Sequence, residues 1–140
     1  VRADRILSDL EPQLAVKIPE GAEHAIADHV AHMAWWQRQV LQDIRTQARG
    51  RVRIGQNDFQ TVALEEWPGV LRDFLSGLEA LKSLTTDAGV LERQYLERDH
   101  DVGFVLMDFA LHNAYHLGQI VLLRRLLGAW PPTGYDPQTW

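Results

Sequence analysis

The chain has 140 residues, 46% apolar and 24% charged, which is enough for one buried core and too short for two ordinary domains. Fourteen basic against nineteen acidic residues leave a formal charge of -5, which argues against a phosphate-binding surface and so against nucleic acid as a partner. With no cysteine, disulfides, thiolate metal sites and cysteine nucleophiles are excluded, and six histidines remain for any metal.

No stretch approaches about 18 consecutive apolar residues, and no basic segment leads into an apolar signal core, so a cytoplasmic chain with no membrane partner is expected. Ile6, Leu7 and Leu10 begin a short helical stripe that Pro12 and Pro19-Glu20-Gly21 break, which makes 1–22 a peripheral N-terminal segment. From Glu23 to Arg49, Ile26, Val30, Met33, Gln37, Val40 and Ile44 repeat at helical spacing and predict a long helix that Gly50 and Gly55 end. The polar stretch 51–61, with isolated Val52, Ile54 and Phe59, reads as a connector or a short extended piece. Val70, Leu71, Phe74, Leu75, Leu78, Leu81 and Leu84 form a second stripe, with Pro68 tolerated in its first turn and Gly77 assigned to the surface. After a turn at 85–89, Val90, Leu91, Tyr95 and Leu96 predict a brief helix. From Val102 to Leu127, Val105, Phe109, His112, His116, Ile120, Leu123 and Leu127 fall within about 80 degrees of arc, until Gly128 and Pro131-Pro132 stop the helix. With no alternating strand pattern, the expected fold is all-α, an antiparallel four-helix bundle with short supporting helical segments. It is a single domain over 1–140 with its core at 23–130.

His112 and His116 stand one turn apart inside the apolar stripe of that last helix. Two imidazoles placed in a core without partners cost a few kcal/mol each, and a shared metal would remove that cost. Hydrogen bonds to a carboxylate, an amide or water would satisfy them as well. Asn113-Ala114 stands where a zincin glutamate would follow the first histidine, so the pair is not that motif. A third ligand must come from another helix, where His24, His29 and His32 cluster. Measured from the apolar stripe, His29 lies about 60 degrees away and His32 about 120, so face arithmetic favours His29.

The stretch from His24 through His32-Met33-Ala34-Trp35-Trp36-Gln37, followed by His112-Asn113-Ala114-Tyr115-His116-Leu117-Gly118-Gln119-Ile120, resembles the DinB/YfiT-like superfamily of metal-binding four-helix bundles. The similarity extends through Leu123-Arg124-Arg125 to Gly128-Ala129-Trp130-Pro131-Pro132. The resemblance implies one divalent metal ion per chain, held by His32, His112 and His116, with His29 as a neighbouring candidate. It also implies a frequent homodimer, and relatives that include metal-dependent hydrolases and enzymes acting on a low-molecular-weight thiol.

Three neutral imidazoles suit zinc or nickel, with iron and manganese compatible, and leave coordination positions open. Asp108, one turn before His112, is the tentative catalytic group, as an orienter of that ring or a proton acceptor. Gln119 and Asp28 are candidates to support the ligands, Asp28 through His32. Trp35, Trp36, Trp67, Trp130 and Trp140 offer either a pocket or core closure. The Arg49 to Arg53 cluster reads as a solvated loop, and Arg124-Arg125 as a surface pair favoured near a helix C-terminus. Two readings follow: a small metal-dependent enzyme, or a non-catalytic dimer in which the ion only fastens helices.

Overall fold

The computed structural model describes residues 2–47, 59–96 and 99–136. Among these, three long helices dominate: α3 (Ile26–Thr46), α4 (Trp67–Leu84) and α6 (Val102–Leu126). Short helices α1 (Ala3–Ile6), α2 (Pro12–Ala15) and α5 (Ala88–Leu91) support them. The described part is all-α, its one β feature being an isolated antiparallel bridge between Gln94 and Asp101. No helix in it is long and apolar enough to cross a membrane. The bundle thus has three long members with short helices around them.

Each long helix starts and stops for a local reason. At the head of α3, Ala25 is extended and its amide donates to Asp28 Oδ2 at 2.9 Å. That bond satisfies one of the amides a helix start leaves without a partner. The helix ends at Thr46, just past the last residue of its apolar stripe and short of the expected Arg49, where Gln47 turns left-handed at φ 56. The glycines expected to end it, and the Arg49 to Arg53 cluster, lie outside the described residues. Asp101 caps α6 by accepting the Phe104 amide at 2.7 Å. Gly128 closes α6 with φ +70, where a side chain would be strained.

Helix direction departs from the expected antiparallel arrangement. Ile26, Val30 and Met33 at the start of α3 share a core cluster with Trp67 and Phe74 at the start of α4. Val40, Leu41 and Ile44 at its end join Leu81. So α3 and α4 run parallel, and α6 runs opposite, since Phe109 lies with the end of α3 and Leu117, Ile120 and Leu123 with its start. The physical reason is connector length. About 20 residues separate α3 from α4 and reach up to about 66 Å, while a helix of 21 residues is about 32 Å long, so the chain can return before α4 begins. Gly77, expected at the surface, lies in this parallel contact. A Cβ there would stand 2.4 Å from Gln37 Oε1, and Gln37 is fully buried.

Residues 2–22 do more than line the periphery. Ala3, Ile6, Leu7, Leu10 and Ala15 belong to the main core cluster. They are tied down by Arg124, which is 1% exposed and not the surface residue that its place beside Arg125 suggests. Its guanidinium donates to the carbonyls of Ile6 and Ser8, to Ala129 O and to Asp9 Oδ1. Hydrogen bonds from Thr133 and then Arg124 hold the Asp9 carboxyl below its ordinary range. One buried cation thereby joins both ends of the described chain to the last turn of α6. Arg124→Ala strips donors from these oxygens and should cost about 3–5 kcal/mol, read as a lower urea midpoint with an unchanged slope.

Candidate metal centre

The antiparallel pairing of α3 with α6 brings together histidines about 80 residues apart. His32 on α3 meets His112 on α6 with 3.2 Å between their Nε2 atoms, and His116 Nε2 lies 3.2 Å from the same His112 atom. The donor atoms of all three lie within 4.8 Å of one another, with His32 and His116 buried and His112 half-buried. Nitrogens about 2.0–2.1 Å from a tetrahedral ion sit about 3.3 Å apart, so the donor set fits a divalent cation in spacing as well as chemistry. A cation at this point would engage three lone pairs that cannot all receive protons from each other.

His29 lies just behind this set. Its Nδ1 is 3.1 Å from His116 Nδ1, on the edge of that ring away from the convergent Nε2. Burial first, and then repulsion from His24 and His32, push its pKa down to about 4, with Asp28 opposing. A neutral His29 can accept a hydrogen bond from His116 Nδ1–H, and a proton on Nδ1 is the tautomer His116 needs if its Nε2 is to bind a cation. Face arithmetic and the family resemblance disagreed over His29 and His32. The structure places both at the site, His32 among the convergent nitrogens and His29 against the back of His116.

Asp28 is buried, but its oxygens are used by the backbone. Oδ2 accepts from Ala25 and Oδ1 from Val62, at 2.9 Å each. The second bond fastens the chain arriving at α4, and with it Phe59, whose ring stacks on His32 (4.1 Å, 17 degrees) and His24 (4.3 Å, 17 degrees). Phe59 also meets His29 edge-on and tilts against His116, so it covers one side of the histidine group. Its sequence context, an isolated aromatic in a polar connector, carries no periodic signal that would have singled it out.

The remaining candidates stand elsewhere. Asp108 is exposed on α6, and among the described residues no hydrogen bond or ion pair joins it to His112. Gln119 is half-buried, also without a described bond to the three histidines. Tyr115 packs its ring edge-to-face on His116 at 5.2 Å. Of the tryptophans, Trp67 is 2% exposed in the main core and Trp36 packs edge-on against both Trp35 and His32. Trp130 lies 6.0 Å from the guanidinium carbons of Arg124 and Arg125, at the end of α6. Trp35 lines a separate groove of about 210 Å³ with Arg38, Val70 and Asp73, and no histidine faces it. Trp140 lies outside the described residues.

A family model described as the DinB superfamily matches residues 2–120, a span containing all six histidines. Comparison with curated proteins and with solved structures returns no match.

The His29 shift fixes a pH dependence for the metal-free protein. Above the ordinary value of 6.5 both folded and unfolded states hold this ring neutral; below it the unfolded chain takes the proton first, the folded one only near pH 4. Stability should therefore fall as pH drops through that window, measured by urea unfolding at successive pH values, and His29→Gln should flatten the fall.

Proposed function

We propose that this chain, which belongs to the DinB superfamily through a match over residues 2–120, is a small metal-dependent enzyme, a hydrolase or a transferase using a low-molecular-weight thiol. The observation that carries the reading is the convergence of three imidazole nitrogens from two helices with, among the described residues, no fourth histidine, aspartate or glutamate in the group. Closed structural zinc sites use four protein ligands, whereas three leave a position for a substrate or water. His32, His112 and His116 would hold one divalent ion per chain, zinc or nickel in preference to iron or manganese. Bound there, the ion would supply Lewis acidity toward a carbonyl or related electrophile and make water a better nucleophile.

The chain's own side chains do the rest. His29 fixes the His116 tautomer by accepting from Nδ1, acting as a positioning residue. Asp28 positions at one remove, holding the head of α3 and the segment that carries Phe59 over His32. Phe59 and Tyr115 keep water from two sides of the histidine group. The solvent-exposed position of Asp108, with no described hydrogen bond to the ligands, favours a role outside the chemistry. A second reading has its own support: the ligands come from α3 and α6, so the same ion would fasten those helices with or without turnover.

Elemental analysis with anomalous diffraction should find one divalent ion among these three rings. Metal at about 100 times its dissociation constant should stabilise the fold by about 2.7 kcal/mol. His116→Ala should remove that gain, and full occupancy of a site formed without His32 would overturn the assignment. Metal-dependent turnover of hydrolytic or thiol-transfer substrates, lost in His112→Ala, separates the enzyme from the fastened bundle. His29→Ala should keep one ion per chain but weaken its binding about 10–100-fold.

A further inference from the structure

The core falls into two apolar clusters, and the boundary between them is polar. On α3 one cluster takes Val30 and Met33 and the other Val40 and Ile44, with Gln37 between them. On α6 Leu117 and Ile120 belong to one cluster and Phe109 to the other, with Asn113 between them. Neither amide sits at the edge of its helix's buried face. At about 100 degrees per residue, Gln37 is about 20 degrees from Val30 and Ile44, and Asn113 about 20 degrees from Ile120 and about 40 from Phe109. Gln37 is 0% exposed and Asn113 6%. Among the described residues, Gln37 Nε2 and Oε1 and Asn113 Oδ1 have no hydrogen-bond partner. Buried amide atoms are ordinarily satisfied, by protein groups or by an internal water.

We propose that Gln37 and Asn113 share one buried water, and that this contact fixes the phase of α3 against α6, so that both are positioning residues for the three histidines. His32 lies opposite the turn from His112 to His116. Gln37, five residues on, is about 7.5 Å further along the axis. Side chains on a helix lean toward its N-terminus. Because α3 and α6 are antiparallel, Gln37 leans back toward the level of Asn113, and Asn113 leans toward that of Gln37. A water in this interval accepts from Gln37 Nε2 and donates to Asn113 Oδ1. Gln37 Oε1 lies against α4, where a Cβ on Gly77 would come within 2.4 Å of it. Glycine at 77 therefore makes room for the amide, in a helix interior that glycine otherwise weakens.

A polar pair in the middle of an apolar seam acts on register. Apolar contact has little directional preference, whereas a displaced amide pair loses its partners inside the core. A polar core residue of this kind specifies one alignment at a cost in stability. Asn113 directly follows His112 and precedes His116 by three residues, so whatever holds its phase holds the turn that carries both ligands. The inference rests on the metal-dependent reading for this consequence at the histidines, and is independent of it for the shared water.

Urea unfolding of the metal-free wild-type chain, Gln37→Met, Asn113→Leu and the double variant tests the pairing. Each single change leaves the other amide in the core and should lower the midpoint by about 0.5–1.5 M. The double change removes both amides and should return the midpoint to the wild-type value or above. In the wild-type chain, the Gln37 side-chain amide protons should show NMR cross-relaxation to a long-lived water and lose it in Asn113→Leu. Zinc titration reads the positioning role: the double variant should keep its stability but bind zinc about tenfold or more weakly, a separation that a purely structural pair would not produce. A single variant that fails to fold beside a folded double variant supports the pairing. Losses that simply add in the double variant, or a double variant that does not fold, overturn it, as does a water signal that is missing or that persists in Asn113→Leu. Zinc binding by the double variant equal to that of the wild type overturns the positioning role and leaves the metal-dependent reading intact. A wild-type chain that takes up no zinc overturns both of these, while the midpoints and the water signal still decide the shared water.

Discussion

Three imidazoles meeting between two helices set terms for the rest of this molecule. Rings that share one point at 3.2 Å separations cannot be supplied by neighbours in sequence alone. His112 and His116 come from adjacent turns, but His32 arrives only if α3 lies antiparallel to α6 in one particular phase. Sliding either helix by a residue would rotate its ligands by about 100 degrees and scatter the group. The packing that holds this phase is apolar on both sides of the site, with Ile26, Val30 and Met33 against Leu117, Ile120 and Leu123 toward one end, and Val40 and Ile44 with Phe109 toward the other.

Among the buried polar groups of that core, Asp28 and Arg124 have positioning tasks. Asp28 spends its carboxylate on two backbone amides, which sets where α3 begins and where the returning chain passes over it. Arg124 does the equivalent at the other end of α6, gathering carbonyls from the N-terminal segment and the turn after the helix. Both are buried charges whose hydrogen bonds go mainly to the main chain, and such groups are tolerated only when so satisfied. The bonds from Arg124 to Ile6 and Ser8 help hold α1 to the core, although it is too short to be stable alone.

Helix α6 serves two surfaces at once. Its inner flank carries the ligands and the core residues, and its outer flank exposes Met107, Leu111, Leu122 and Leu126, with Tyr115 between them touching His116. Whatever covers Tyr115 would therefore lie close to that ring as well.

Much was legible in the sequence because it depended on local repetition. The three long helices follow from apolar periodicity, the last helix stops at Gly128, and the His112/His116 pair is visible from spacing alone. His32 was reached only through resemblance, since its angle on α3 points away from the stripe centre, and a site in the crevice between two helices takes ligands from their flanks. What lay beyond the sequence were relations between distant segments. The parallel run of α3 and α4 depends on how the long connector is used, and Gly77 is a contact residue only because of that choice. Arg124 and Arg125 are chemically the same in sequence, and the 100-degree step between them sends one into the core and leaves the other outside. Phe59 and His29 acquire their places over and behind the ligands from the pairing of helices. Periodicity determines which face of an element is buried; only the closed structure determines what that face meets, because the meeting is set by the packing of segments far apart in the chain.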